Sequence, residues 1–142
     1  MKALLAAVLM MAQTSTTPTF QNVGTMSQLM VDIIYPTSDD IFYIERTPPS
    51  NDAEWGRIQR SALMLAEAGN LLMLPGRARD QDGWIKDARL LVEAGNAAYK
   101  AAKAKDLAAV VALNAQLVTS CTTCHRQYRS NYGRGQRARG NQ

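Results

Sequence analysis

Residues 51–76 read Asn51-Asp-Ala-Glu-Trp-Gly-Arg-Ile-Gln-Arg-Ser-Ala-Leu-Met-Leu-Ala-Glu-Ala-Gly-Asn-Leu-Leu-Met-Leu-Pro-Gly76, and this stretch decides the fold. Trp55, Ile58, Ala62, Leu65, Gly69 and Leu72 recur in alternating steps of three and four, which places them on one stripe of an α-helix. Asn51 followed by Glu54 has the capping-box spacing that starts a helix, and Pro75-Gly76 stops it. The same period runs on both sides. Upstream, Met26, Leu29, Met30, Ile33 and Ile34 form a stripe that resumes at Ile41 and Ile44. Pro36 lacks an N–H and crowds the preceding turn, so this segment is expected to kink or end there. Thr37, Ser38 and Asp39 are then caps for a continuation, and Pro48-Pro49 closes it. Downstream, a third segment starts near Asp82 with the stripe Trp84, Ala88, Leu91, Gly95, Ala98 and Ala102. A fourth starts from a cap at Asp106 and carries Val110, Asn114, Leu117, Cys121, Cys124 and Tyr128 before Gly133. Such spacing favours helices packed at shallow angles, and no β alternation competes with it. The expected fold is all-α: an antiparallel up-down-up-down four-helix bundle.

Charge argues against one class of partner. The 142 residues include 16 Lys or Arg and 12 Asp or Glu, a net charge of +4 and a pI near 9.3. Taken whole, that balance points to nucleic acid or an anionic membrane. Yet Arg126, Arg129, Arg134, Arg137 and Arg139 supply five positive charges and no acid in the last 17 residues, which leaves the body slightly acidic. No nucleic-acid-binding face is expected. The longest uninterrupted apolar run, Ala3 to Ala12, is too short to span a bilayer. With Met1-Lys2 before it, this run resembles a secretory signal. The uncharged, Thr-rich residues Gln13 to Gln21 then read as a linker. The expected organisation is a signal and linker over 1–21, a helical domain over 22–133, and a basic flexible tail over 134–142.

Two details of the stripes call for a packing reason. The tetrapeptide Glu67-Ala-Gly-Asn70 recurs as Glu93-Ala-Gly-Asn96, and both glycines fall on apolar stripes. A mid-helix glycine costs about 1 kcal/mol relative to alanine, so each is read as making room in the core. Trp55 and Trp84, in the first turns of their helices, are read as core or end-plugging residues.

Both cysteines and the only histidine fall in Cys121-Thr-Thr-Cys124-His125. The pattern C-x-x-C-H reads as a c-type haem attachment site. Residues three apart share one helix face, so two thiols can add to the two vinyl groups of one porphyrin, with the histidine as an axial iron ligand. A zinc site lacks further Cys or His ligands. A thioredoxin-like pair belongs at a helix start in a βαβ setting, not late in a helix. A disulfide across three residues closes a very small loop and adds little.

The longer run Cys121-Thr-Thr-Cys-His125-Arg-Gln-Tyr128-Arg129 resembles the C-x-x-C-H-x-x-[YF]-R ending of cytochrome c′ and its low-spin class II relatives. Over roughly residues 25–132 the helix pattern and motif placement are similar to that family as well. The resemblance implies a periplasmic four-helix bundle with one haem c near its C-terminus. It implies thioethers at Cys121 and Cys124, His125 as proximal ligand, and Arg129 beside the proximal haem face. A solvated Arg129 is the plain alternative. Tyr128 is read as packing on the porphyrin edge or on a neighbouring helix. The family's dimers pair through the first two helices, and no stripe here demands one.

The sixth iron ligand separates two functions. No second histidine exists. In an up-down-up-down bundle the end of the fourth helix lies near the start of the first, where Met26 and Met30 occur. In the family the distal residue also comes from the first helix, apolar in five-coordinate members and Met in low-spin ones. Met30 is the first choice, because Met26 to Leu29 then cover the haem edge, and Met26 is the second. Both also fit as ordinary core methionines. Met64 and Met73 are assigned to packing. A six-coordinate iron makes the chain an electron carrier serving a redox partner protein, and an open distal site makes it an NO- or CO-binding protein. Peroxidase chemistry wants a distal acid–base group, and Asp32 is the one carboxylate near the candidates. The reading is a non-enzymatic electron carrier.

Overall fold

The computed structural model describes residues 19–129 and 131, so the signal-like residues and the whole basic tail, 134–142, lie outside it. Among the described residues every regular element is helical, and they form four long rods joined by short connections. The first rod runs through α1 (Met26–Gln28), a π-helix (Leu29–Ile34) and α2 (Tyr35–Phe42), with a 3₁₀ turn at Ile44–Arg46. The second is α3 (Asp52–Leu72) and the third α4 (Gly83–Lys103). The fourth comprises α5 (Leu107–Ala112) and α6 (Asn114–Tyr128), separated by a single turn residue, Leu113.

Of the two outcomes expected at Pro36, an end to the helix is not what the chain does: the rod continues through it, with an irregular turn in front. The chain widens into a π-helix just before it, and the Tyr35 N–H bonds back to the Met30 carbonyl, five residues away. The wider turn eases the clash between a proline ring and the carbonyl four residues earlier. Thr37 and Ser38 are not caps but lie within the helix. Thr37 Oγ1 donates to the carbonyls of Ile33 at 2.7 Å and Ile34 at 3.1 Å, and Ser38 Oγ donates to that of Tyr35 at 2.9 Å. Those hydroxyls take up carbonyls that an irregular helix leaves poorly bonded.

The other starts follow capping chemistry with small departures. Asn51 Oδ1 accepts from the Glu54 N–H at 3.0 Å, but the Glu54 carboxylate reaches the Ser50 N–H at 2.6 Å, so the box closes one residue early. Asp106 Oδ1 accepts from the Ala109 N–H at 2.9 Å as expected. At α4 the carboxylate that serves the helix start is Asp80, whose Oδ1 accepts from the N–H groups of Asp82 and Trp84 at 3.0 and 2.9 Å. Thr25 and Gln28 form a complete capping box for α1 that the apolar stripes did not reveal.

All six stripe positions of α3 and all six of α4 are buried, Gly69 and Gly95 among them. Lys105 Nζ meets Asp52 at 2.6 Å, Gln59 Nε2 donates to the Ala102 carbonyl at 3.3 Å, and Trp84 Nε1 donates to the Leu72 carbonyl at 2.7 Å. The partners thus descend the third rod as the second is climbed. Between these points the two backbones nearly touch. A Cβ on Gly95 would lie 2.6 Å from the Ala66 nitrogen, and one on Gly69 would lie 2.7 Å from Val92 Cγ2 and 3.0 Å from its nitrogen. The repeated tetrapeptide therefore marks the α3–α4 contact. Gly95→Ala is expected to force the helices apart and to cost about 1–3 kcal/mol, several degrees in Tm. Gly56→Ala is the control, since its Cβ would meet only the flexible Arg60 side chain at 3.4 Å. That substitution is expected to gain up to ~1 kcal/mol from helix propensity. Thermal melts of the two variants test the contact.

Ala94, Ala98 and Ala102 of the third rod join one core with Ile41, Ile44, Ile58, Leu65, Val110 and Leu117 of the other three, and these six large side chains are fully buried. Each contributes roughly 1.5–3 kcal/mol by leaving water. The first rod is further pinned to α3 by Asp40, which pairs with Arg57 and accepts from Ser61 Oγ at 2.5 Å. Residues Leu107–Tyr128 are, by length and composition only, long and apolar enough to cross a bilayer. Counting only uninterrupted apolar runs overlooks this stretch, because polar residues such as Asn114 and Gln116 interrupt it. Within it Val110, Leu117 and Ser120 are buried, and α6 packs on α4.

Candidate functional site

Cys121, Cys124 and His125 lie on the third and fourth turns of α6 and face inward, each half-buried. Two adjoining cavities open beside them. The larger, about 330 Å³, lies between the first rod and α6 and is lined by Met26, Met30, Trp84, Cys124, His125 and Tyr128. The smaller, about 30 Å³, brings Cys121 into contact with the same space, walled by Ile34, Leu72 and Leu91. Met30, Cys124 and His125 line both.

The placement of Met30 follows from the irregular first rod. It sits in the π-helix, and Pro36, which threatened this register, is absorbed by that same π turn. Of these two cavities Met26 lines the larger alone. Asp32 is exposed and lines neither of the two, so the structure removes it as an acid–base group for this space. Met64 is 48% exposed, not a packing residue as expected, whereas Met73 packs on the core away from the cavities.

Burial pushes the Cys121 thiol up from its ordinary value. It pushes Cys124 up to about 11, with the Asp87 and Cys121 charges adding to the effect. Both are neutral thiols at physiological pH, the opposite of a low-pKa redox cysteine. The sign is testable on the haem-free chain. At pH 8 the Cys124 thiolate is roughly a hundredfold scarcer than in an unperturbed cysteine, so iodoacetamide alkylation is expected to be slow. The rate should climb with pH until about 11, as read by peptide mass spectrometry. Burial, and then the Arg129 charge, hold His125 below its usual value. A neutral imidazole is the form that binds a metal ion.

Arg129 caps α6 in an extended conformation, its N–H bonded to the His125 carbonyl at 3.1 Å, and its side chain lines the larger cavity. Tyr128 packs on a neighbouring helix. Its ring meets Trp84 edge-on at 4.9 Å, and its hydroxyl donates to the Asp80 carboxylate. Burial and the two nearby aspartates push the phenol up to about 12, so it remains a donor throughout the neutral range.

Two residues of the site escaped the sequence reading. Arg79, in the loop before α4, lines the larger cavity and lies over the Trp84 ring at 5.8 Å. Nothing in a loop sequence distinguishes it. Asp87 lines the smaller cavity and is 4% exposed. Its Oδ2 is buried without a hydrogen-bond partner. Burial pushes its carboxyl up. The signal for it was present: Asp87 lies three residues after Trp84 and four before Leu91, on the buried stripe.

The donor set suits a haem. Two thiols on one helix face, an adjacent neutral imidazole and a thioether on the facing rod all meet one space, whose larger part has the size of a cofactor site. Among the described residues no group of three or more His, Cys, Asp and Glu is placed to hold a metal ion. Comparisons with protein-family models, curated proteins and solved structures find no match for this chain.

Proposed function

We propose that this chain is an exported c-type cytochrome of the four-helix-bundle kind, an electron carrier with one covalently bound haem c. One observation carries the reading: Cys124, His125 and Met30 line the same two cavities, and Cys121 lines the smaller beside them. The stepwise pairing of α3 against α4 supports an antiparallel up-down-up-down order for the rods. In that order the end of α6 lies beside the first rod.

Cys121 and Cys124 would hold a haem through thioethers, the S–H of each adding across one vinyl group with no net redox change. The bound group supplies an iron that alternates between Fe(III) and Fe(II). His125 and Met30 would ligate the iron, a pairing that would raise the reduction potential. Arg79 and Arg129 stand at the larger cavity as cations for the two propionates. Ile34, Leu72 and Leu91 keep water from the inner edge. Arg126 and Arg129, exposed at the end of α6, give this end a positive charge suited to an acidic redox partner protein, an attraction that weakens with salt. The reading needs neither a second copy of the chain, nucleic acid nor insertion in a membrane, and it places the protein in the periplasm.

Exposing the reduced holoprotein to CO tests the assignment. A Met30-ligated iron leaves the spectrum unchanged. Conversion to a CO-bound form assigns the five-coordinate, gas-binding function instead.

A further inference from the structure

The loop between α3 and α4 is bonded to the end of α6, and Asp80 makes the connection from both sides. Its Oδ1 accepts from the backbone N–H groups of Asp82 and Trp84 at 3.0 and 2.9 Å, and its Oδ2 accepts from the Tyr128 hydroxyl. The Tyr128 bond, and after it the Trp84 one, hold the Asp80 carboxyl below its usual range. It is therefore ionised at neutral pH, and the tyrosine bond is of the stronger, charge-assisted kind. Gly83, the first residue of α4, leaves the room this bond needs. A Cβ there would lie 2.7 Å from the Tyr128 hydroxyl oxygen and 3.0 Å from Gln127 Nε2. The Tyr128 ring stands edge-on to Trp84 at 4.9 Å, and Trp84 is itself buried and bonded to the Leu72 carbonyl. Both rings line the larger cavity, as do His125, three residues before Tyr128, and Arg129, the residue after it.

We infer that Asp80 is a positioning residue for the larger cavity: through Tyr128 it latches the end of α6 to the start of α4 and holds the tyrosine ring as a fixed wall. The latch is a property of the chain and needs no cofactor. Its consequence rests on the haem reading. A ligand from solution that competes for the distal face has to enter the space between the first rod and α6, so a wall held in place slows its entry.

Two measurements separate the latch from its consequence. In the haem-free full chain, amide hydrogen exchange over residues 123–129 reads the latch. Tyr128→Phe keeps the ring and removes only the hydroxyl. Asp80→Asn keeps an oxygen for the two backbone N–H groups, but its NH2 cannot accept the hydroxyl proton. Each variant is expected to exchange roughly tenfold faster than wild type, and the double variant no faster than either, because both remove the same bond. Gly83→Ala should also speed exchange, although alanine is the better helix former. Gly95→Ala, which weakens the bundle at the distant α3–α4 contact, is the control and should leave these amides at the wild-type rate. Additive effects in the double variant, a Gly83→Ala that exchanges no faster than wild type, or an equal acceleration in Gly95→Ala overturns the latch. In the ferric holoprotein, the rate at which added imidazole binds the iron reads the wall. It is expected to rise roughly tenfold in Asp80→Asn and in Tyr128→Phe, and to stay at the wild-type value in Gly95→Ala. Wild-type rates in both latch variants overturn the role of Asp80 at the cavity. Should the exported chain carry no haem while the exchange coupling holds, the haem reading fails and the latch stands.

Discussion

Met30→Ala is expected to turn a low-spin holoprotein into a high-spin one that binds CO. A thioether on the distal side fills the sixth position and raises the potential, so its removal opens the iron and lowers the potential. The side chain also packs against the core, and truncation should cost about 2–3 kcal/mol of stability. Met30→Leu separates the two effects, because it keeps the volume at a cost below ~1.5 kcal/mol yet cannot ligate. The account predicts that Met30→Leu is high-spin with near wild-type stability. Met26→Ala should remain low-spin, since of the two cavities Met26 lines the larger alone. A low-spin Met30→Leu with a high-spin Met26→Ala would move the ligand to Met26. Optical spectra of both oxidation states, with and without CO, read the result.

The second large effect concerns attachment. Cys121→Ala with Cys124→Ala should leave a bundle from which haem is extracted completely by acidified acetone, whereas the wild type keeps it. Each single variant keeps one thioether and so holds its haem through the same extraction, with a red-shifted pyridine haemochrome band. Neither cysteine belongs to the fully buried core, so loss of two small side chains should not unfold the helices. Circular dichroism of the double variant checks this. Haem that stays attached in the double variant would refute covalent binding through these residues.

Most of the fold was legible because helix periodicity and close packing leave their mark residue by residue. The stripes of α3 and α4 mapped onto buried faces, and the paired glycines mapped onto close approaches of those two helices. The first rod was less legible. Whether Pro36 ends a helix depends on whether the carbonyls before it find other donors, and here a π turn and the Thr37 hydroxyl supply the answer. The break at Leu113 left no mark on the stripe, which runs on through Asn114 to Leu117.

The site divides in the same way. Cys121, Cys124 and His125 declared themselves by spacing, and Met30 by its place on the first rod. Arg79 was hidden because loop residues acquire a position only from the elements they join. Asp80 was hidden for that reason too: its carboxylate starts α4 and holds the Tyr128 hydroxyl, a contact 48 residues away in sequence. Asp87 belongs to no motif, although its place three residues after Trp84 and four before Leu91 points inward. A carboxylate in a core position is a reason to search for what it binds.

The most direct test of the central claim is the intact mass of the wild-type chain, exported by a host that matures c-type cytochromes and measured under denaturing conditions. The account predicts the mass of the mature polypeptide plus one haem, with neither Cys121 nor Cys124 open to alkylation. A mass equal to the polypeptide alone, with both thiols alkylated, would contradict it.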